Sequence, residues 1–373
     1  MFALESINNI STYVKNKHNG VISVWKFVFA IVIILHHGYL INDNGVKHVL
    51  FICGAIAVDF FFIVSGWLMS AKVNAEAEIN DERPIYKATK DFILGKIKKI
   101  LPFLIFSYLI IAILCLISGS FLFKEYVQGL VDLTFLQMAG LPNTGFVGGA
   151  WYVSAMILAM LILYPLHKKL KKTFSWLIAP MIAIFFGGYL IASVESTRDV
   201  KVWLGLCYVG LIKAIFEIAI GCIAYEVSRS LGRVKFKTAG KILLSIVEII
   251  CFVIVIFFNL FFVDRDLDWL FIILLFIGVS IAFSEQTYFY NACCNNKFYY
   301  LERLSLPMYL NNFIPIGLFK FPDFLSEFTW GEKLVIDIVL VILLSVIEIP
   351  LIALIKGRCK KLKKAITRRI IDL

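Results

Sequence analysis

The sequence predicts an all-α protein, a polytopic membrane bundle of about ten transmembrane helices with both termini on the cytoplasmic side. Three observations lead there. The first is composition: of 373 residues 60% are hydrophobic and 17% charged, whereas a soluble domain carries about 25% charged residues. The second is a recurrence of apolar runs of roughly 20 residues from Ile22 onward, each long enough to cross about 30 Å of hydrocarbon. Such a run must be helical, because lipid offers its backbone no hydrogen-bond partners. The third is the placement of Lys and Arg. With the N-terminus inside, the inner segments hold about 28 of the 37 basic residues and the outer ones about 7. That bias fixes N-in, C-in and an even number of spans. It also accounts for the net charge of +11 as topology, helped by anionic headgroups, with no nucleic acid partner.

The elements follow in order. The first 20 or so residues are polar and lack an apolar core ahead of a small-residue cleavage site, so no cleaved signal peptide is expected. Span one, at about 22–41, carries Lys26 near its inner end and His36 and His37 near its outer end. Span two, at about 50–70, carries Asp59, Ser65 and Gly66. The inner loop 71–99 mixes acids and bases and reads as a short amphipathic surface helix or an irregular loop. Span three, at about 100–118, opens with Pro102 behind Lys96 and Lys99. The outer segment 121–149 holds Lys124, Glu125 and Asp132 and ends in Gly, Pro and Asn, which favour turns, so it reads as re-entrant or interfacial. Span four covers about 149–166 and span five about 174–192. Span six, at about 204–227, places Lys213 and Glu217 on one helix face. Spans seven (about 242–262) and eight (about 268–284), nine (about 304–319) and ten (about 334–355) complete the chain, with Glu248 in the seventh and Glu348 in the tenth. No soluble-sized polar block or internal repeat interrupts them. One membrane domain therefore fills 1–373, with cytoplasmic tails at 1–21 and 356–373.

An ionisable side chain at bilayer depth costs roughly 2.5–3.5 kcal/mol, so each is a functional candidate. A His pair one span away from Asp59 can take and return a proton near neutral pH, and a carboxylate would hold the imidazole tautomer. Bland readings stand beside these. Lys26 can snorkel to the inner headgroups. Lys213 and Glu217 can neutralise each other, and Glu248 and Glu348 can be structural or lipid-facing. Lys96 and Lys99 share a helix face suited to phosphate, yet they also fit the ordinary basic flank of a span. The eight cysteines, Cys53, Cys115, Cys207, Cys222, Cys251, Cys293, Cys294 and Cys359, lie mostly in apolar runs without CxxC or His partners, so they read as small core residues and no metal is expected. From Lys26 to His37 a helix rises about 16 Å, so a long carrier held by inner cations could present its reactive end near His37.

These features resemble the acyltransferase 3 family of membrane O-acyltransferases over most of the chain. In that family a basic residue of the first span is followed eleven positions later by a catalytic histidine, as are Lys26 and His37 in WKFVFAIVIILHH. Ala57-Val58-Asp59-Phe60-Phe61-Phe62-Ile63-Val64-Ser65-Gly66 resembles the G-x-D-x-F-F-x-x-S-G block. Lys96 to Lys99 ahead of Pro102 resembles R-x-x-R, with lysines losing the bidentate geometry of arginine. Trp151-Tyr152-Val153-Ser154 with Tyr164-Pro165 resembles the W-x-L-S block, Met156 standing where many members have Glu. Ser305 to Asn312 resembles S-x-x-x-Y-L-x-H, with Tyr309 retained and Asn312 in the histidine position.

The resemblance implies transfer of an acyl group, acetyl above all, from cytoplasmic acyl-CoA to a hydroxyl of a cell-surface glycan or glycolipid, in the plasma membrane of a bacterium. His37 would be base or acyl carrier and Asp59 its orienting partner. Lys26, Lys96 and Lys99 would hold the donor phosphates, and Ser65, Trp151, Ser154, Glu217, Tyr309 and Asn312 would line the substrate path. No bound cofactor is expected, acyl-CoA being a substrate. The partners are the donor, the acceptor and the bilayer, with homo-oligomerisation left open. The alternative is a proton-coupled secondary transporter or exporter using His37, Asp59, Lys213 and Glu217 as a relay; inverted repeats would support it, and the sequence shows none. A membrane scaffold is the third reading, one that gives the buried His and Asp no task.

Overall fold

The computed structural model describes residues 19–41, 54–119, 123–141, 145–194, 197–261, 267–294, 296–318 and 327–371. The expected tail as far as residue 18, the start of the second predicted span with Cys53, the outer cations Lys47, Arg265 and Lys320, the Pro142-Asn143 turn and the Cys359 side chain lie outside them.

Among the described residues the regular structure is helical, apart from one isolated bridge between Trp203 and Tyr208. Helix α1 is Gly20–His37, capped by the Asn19 side chain, which accepts from the Val21 and Ile22 N–H groups. That cap is anchored across the bundle, because Asn19 Nδ2 donates to the Ala282 carbonyl at 2.8 Å. The remaining helices are α2 (Ala57–Glu78), α3 (Ile85–Ile117), the short α4 (Phe123–Gly129), α5 (Ala150–Leu170), α6 (Ala179–Ser193), α7 (Val209–Gly232), α8 (Thr238–Phe261), α9 (Asp268–Ala282), α10 (Tyr290–Cys293), α11 (Asn296–Asn311), α12 (Ile314–Leu318) and α13 (Trp330–Ile371).

Each of the ten predicted runs therefore corresponds to helix, and seven helical segments are long and apolar enough to cross a membrane. The others fall short for physical reasons. Helix α7 has the length but holds Lys213, Glu217 and Glu226, α9 is 15 residues long, and α11 is 16 residues long and interrupted by Pro307. The predicted ninth span is two pieces, broken at Asn312 and Phe313.

The inner loop 71–99 is a correction to the expected surface helix or irregular loop. Helix α2 runs on to Glu78, α3 starts at Ile85, and only a short turn joins them. The charges that marked the loop knit this turn. Arg83 grips Asp81 through Nε and one terminal nitrogen, each at 2.8 Å, and its other terminal nitrogen reaches Asp91 at 2.8 Å. Lys168 of α5 reaches Glu76 and Asp81 at 2.8 and 2.6 Å, and Tyr164 donates to Glu76 at 2.6 Å. These charge-assisted bonds offset the burial of Glu76 and Asp81 and tie the ends of the helices together.

The outer segment is a short helix and two 3-10 turns tucked under α5. Ser154 fixes it, accepting from the Met138 N–H and donating to the Phe135 carbonyl, both at 2.9 Å. Helices α2 and α7 cross in close contact: a Cβ on Gly66 would lie 2.1 Å from the Ile218 carbonyl oxygen, and one on Gly221 2.1 Å from that of Ile63. Small residues let two backbones meet where lipid gives helices no hydrophobic drive to associate.

Helix α11 runs alongside α1 in parallel. Lys26 pairs with Glu302 and the His37 ring packs against Phe313 at a tilt of 48°, both at an offset of 276 residues. This register sets the layers of the site.

Candidate active site

Helix α1 carries two of the predicted residues to opposite ends. At its C-terminal end His37 lies 4.5 Å from the Phe313 ring, centroid to centroid, and its Nδ1 is buried without a hydrogen-bond partner. His37 also lines a cavity of about 580 Å³ together with Tyr39, Phe146, Trp151, Arg198 and Lys201. Such a hollow sets flat aromatic faces and cations around an imidazole, which is the equipment for holding a polar molecule while moving its proton.

At the other end, Lys26 Nζ is 2.5 Å from Glu302 Oε1. Lys96, half-buried on α3, stands within electrostatic reach of both Lys26 and Lys99, with its ammonium 5.6 Å above the Phe92 ring. The three predicted cations therefore gather in one region, and Lys26 enters it already paired with a carboxylate.

Asp59 was expected to orient His37. The structure instead pairs it with Lys213, at 2.7 Å, while Glu217 flanks the same ammonium at 3.8 Å. Lys213 further donates to the Thr197 carbonyl at 3.2 Å. The reason is desolvation: a lysine 1% exposed needs a counter-charge far more than a neutral imidazole needs an acceptor. The network continues outward, since Thr197 donates to Asp268 at 3.0 Å and Arg198, on the cavity wall, bonds Asp268 through Nε at 3.0 Å.

Between the two ends lies a hydroxyl cluster. The Ser65 and Tyr152 oxygens are 3.4 Å apart, Ser65 also points at Met156 Sδ at 3.4 Å, and the Tyr152 and Tyr309 rings are 5.3 Å apart. Tyr152 lies within electrostatic reach of Glu217, which joins this cluster to the Asp59–Lys213 pair. Ser65, Glu217 and Tyr309 are thus brought together. Trp151 belongs to the outer cavity and Ser154 to the support of the outer segment. Asn312 is fully buried at the α11–α12 break, and neither atom of its amide has a hydrogen-bond partner.

Other groups went unseen in the sequence. Phe313, Arg198 and Lys201 come to the cavity from segments with no local signal. Glu248 accepts from Trp25 Nε1 at 2.7 Å, and Glu348 accepts from Asn311, which in turn accepts from Ser107. Both glutamates are therefore buried and hydrogen-bonded rather than lipid-facing. Cys222 and Cys251 are core residues, Cys115, Cys207 and Cys293 are half-buried, and Cys294 is exposed, none of them in a disulfide. No group of three or more His, Cys, Asp or Glu stands ready for a metal ion among the described residues.

The chain matches no curated protein and no solved structure. A family described as an acyltransferase domain matches residues 19–355, from the cap of α1 to well along α13, and so takes in both ends of α1, the buried cluster and the outer cavity. A helical bundle with seven membrane-capable helices, matched by that family over nearly its whole length, is a membrane acyltransferase, and the chain belongs to the acyltransferase 3 family.

Proposed function

We propose that the protein transfers an acetyl or related acyl group from cytoplasmic acyl-CoA to a hydroxyl of a cell-surface glycan or glycolipid, across the plasma membrane of a bacterium. In this reading ten helical segments cross the bilayer, with both termini inside. The observation that carries the proposal is the layout of α1, with a cluster of cations at its inner end and His37 on an outer cavity at the other. Donor phosphates bind Lys26, Lys96 and Lys99, and Lys26 exchanges Glu302 for a phosphate oxygen. The pantetheine arm then runs along α1 past Ser65, Tyr152 and Tyr309, which covers the roughly 16 Å between Lys26 and His37.

The acceptor sits in the outer cavity, its ring against Trp151 or Tyr39 and its polar groups near Lys201 and Arg198. His37 takes the hydroxyl proton as the oxygen attacks the thioester carbonyl carbon. The C–S bond then breaks, and the leaving thiolate receives the proton. A route through an acyl-His37 intermediate fits the same geometry. The Asp59–Lys213–Glu217 cluster acts by holding α2 against α7, which keeps Ser65 and Tyr152 in place. Family membership supports this chemistry over the proton-coupled exporter.

The test is turnover of labelled acetyl-CoA by the protein in nanodiscs, wild type against His37→Ala. A general base contributes about 10²–10⁴-fold, so the variant should lose that much rate while melting at the wild-type temperature. A variant as fast as wild type would remove His37 from the mechanism.

A further inference from the structure

Two asparagines sit side by side at the outer end of α11, and their situations differ. Asn311 is fully paired: its oxygen accepts from Ser107 at 2.6 Å and its nitrogen donates to Glu348 at 2.7 Å. Asn312 is 0% exposed, and neither Nδ2 nor Oδ1 has a hydrogen-bond partner. Buried amides are nearly always paired, because an unpaired one forfeits its hydration for nothing. An amide kept in that condition at a helix break calls for a use.

Its position supplies one. The parallel register of α1 and α11 that sets His37 on Phe313 places Asn312 in the layer of His36 and His37. Phe313, next to Asn312, and Tyr309, about one helical turn before it, both meet the N-terminus of α5: a Cβ on Gly148 would lie 2.4 Å from the Phe313 ring, and one on Gly149 2.9 Å from the Tyr309 ring. Gly149 caps that 21-residue helix without a side-chain hydrogen bond. The positive end of the α5 dipole therefore faces the layer that holds the imidazole and the unpaired amide.

Resting on the acyl-transfer reading, we infer that the Asn312 side chain is the oxyanion donor, its Nδ2–H holding the acyl carbonyl oxygen beside His37. As the acceptor hydroxyl adds to the thioester carbon and His37 takes its proton, the carbonyl π pair moves onto oxygen. Asn312 binds that oxyanion with the α5 N-terminus behind it. The pair then returns, the C–S bond breaks, and the thiolate leaves with the proton from His37. A donor aimed where charge develops is already oriented and needs no rearrangement at the moment of reaction. Asn312 is in this sense a catalytic residue, distinct from the buried ion cluster.

The experiment compares wild type, Asn312→Leu and Asn312→His in nanodiscs, with acetyl-CoA as donor, water as acceptor and free thiol as readout, alongside melting temperatures. Leucine shares the branched heavy-atom skeleton of asparagine but needs no hydrogen bond. The Leu variant should lose about 10²–10³-fold in kcat, keep its KM for acetyl-CoA within about twofold, and melt at a higher temperature than wild type. The His variant restores an N–H donor and should recover part of the rate. A Leu variant with wild-type kcat overturns the assignment, and so does one whose melting temperature falls along with kcat, since the amide would then be a structural tie. Absent wild-type turnover would instead sink the transfer reading itself.

Discussion

Lys213 shows how much of a residue's role depends on residues far away in the chain. Its i,i+4 relation to Glu217 is legible in the sequence, but its nearer partner, Asp59 at 2.7 Å, sits on the facing helix α2 and lies in another part of the chain. Nothing local to Asp59 announces that it will serve Lys213 rather than His37. Removing the ammonium would leave two buried carboxylates facing each other, and breaking a buried pair in this way typically costs about 3–5 kcal/mol. Lys213→Met should therefore lower the melting temperature in nanodiscs, whereas Lys213→Arg, which keeps the charge, should lose less. A Met variant that melts like wild type would show that the cluster contributes nothing to α2–α7 packing. His37 is the converse case. Its place eleven residues beyond Lys26 could be read from the sequence, while the cavity it lines is assembled from Phe146, Trp151, Arg198, Lys201 and Phe313, on segments scattered across the chain.

At the scale of elements, the crossing of α2 with α7 is held by backbone contact at Gly66 and Gly221. An added methyl has nowhere to go, since the atoms it meets are main chain on the facing helix. Overpacking of this kind costs about 1–3 kcal/mol. Gly66→Ala should thus destabilise the bundle by that amount in a chemical or thermal melt. It should also slow turnover, because a displaced α2 carries Ser65 away from Tyr152 on α5; unchanged melting would contradict the close approach. The apolar runs were readable because hydropathy belongs to a segment. The lengths of the helices were less so: α2 and α3 extend into the charged stretch 71–99, and the network of Glu76, Asp81, Arg83, Asp91 and Lys168 joins three helices and a turn. A charge-rich stretch read alone looks like solvated loop.

For the whole molecule, the two polar ends should respond oppositely to pH. At the turn between α2 and α3 the hydrogen bonds from Arg83, and then those from Lys168, hold the Asp81 carboxyl well below the usual carboxylate range. A depressed acid contributes stability above its unfolded value, and this is lost as pH falls below about 4. In the segment between α4 and α5, burial pushes Asp132 up to about 6, against a hydrogen bond from the Val147 N–H at 2.9 Å. A raised acid binds its proton more tightly when folded, so its contribution is complete below about pH 4 and declines as pH rises through 6. Hydrogen exchange resolved by segment should show the inner turn loosening below pH 4 and the segment around residues 130–147 losing protection from pH 4 to 6. Asp132→Asn should abolish the second effect and leave the first. By itself the sequence determined that the chain is a bundle of apolar helices, where most of them run, and that one helix carries a cation and a histidine about 16 Å apart. Those properties follow from the bilayer acting as solvent on each segment separately. Only the tertiary structure decided that Asp59 serves Lys213, that Asn312 stays unpaired at a helix break, and that His37 opens on a cavity. Those outcomes depend on how each helix is rotated and set in register against its neighbours, which is fixed by packing between residues far apart in the chain.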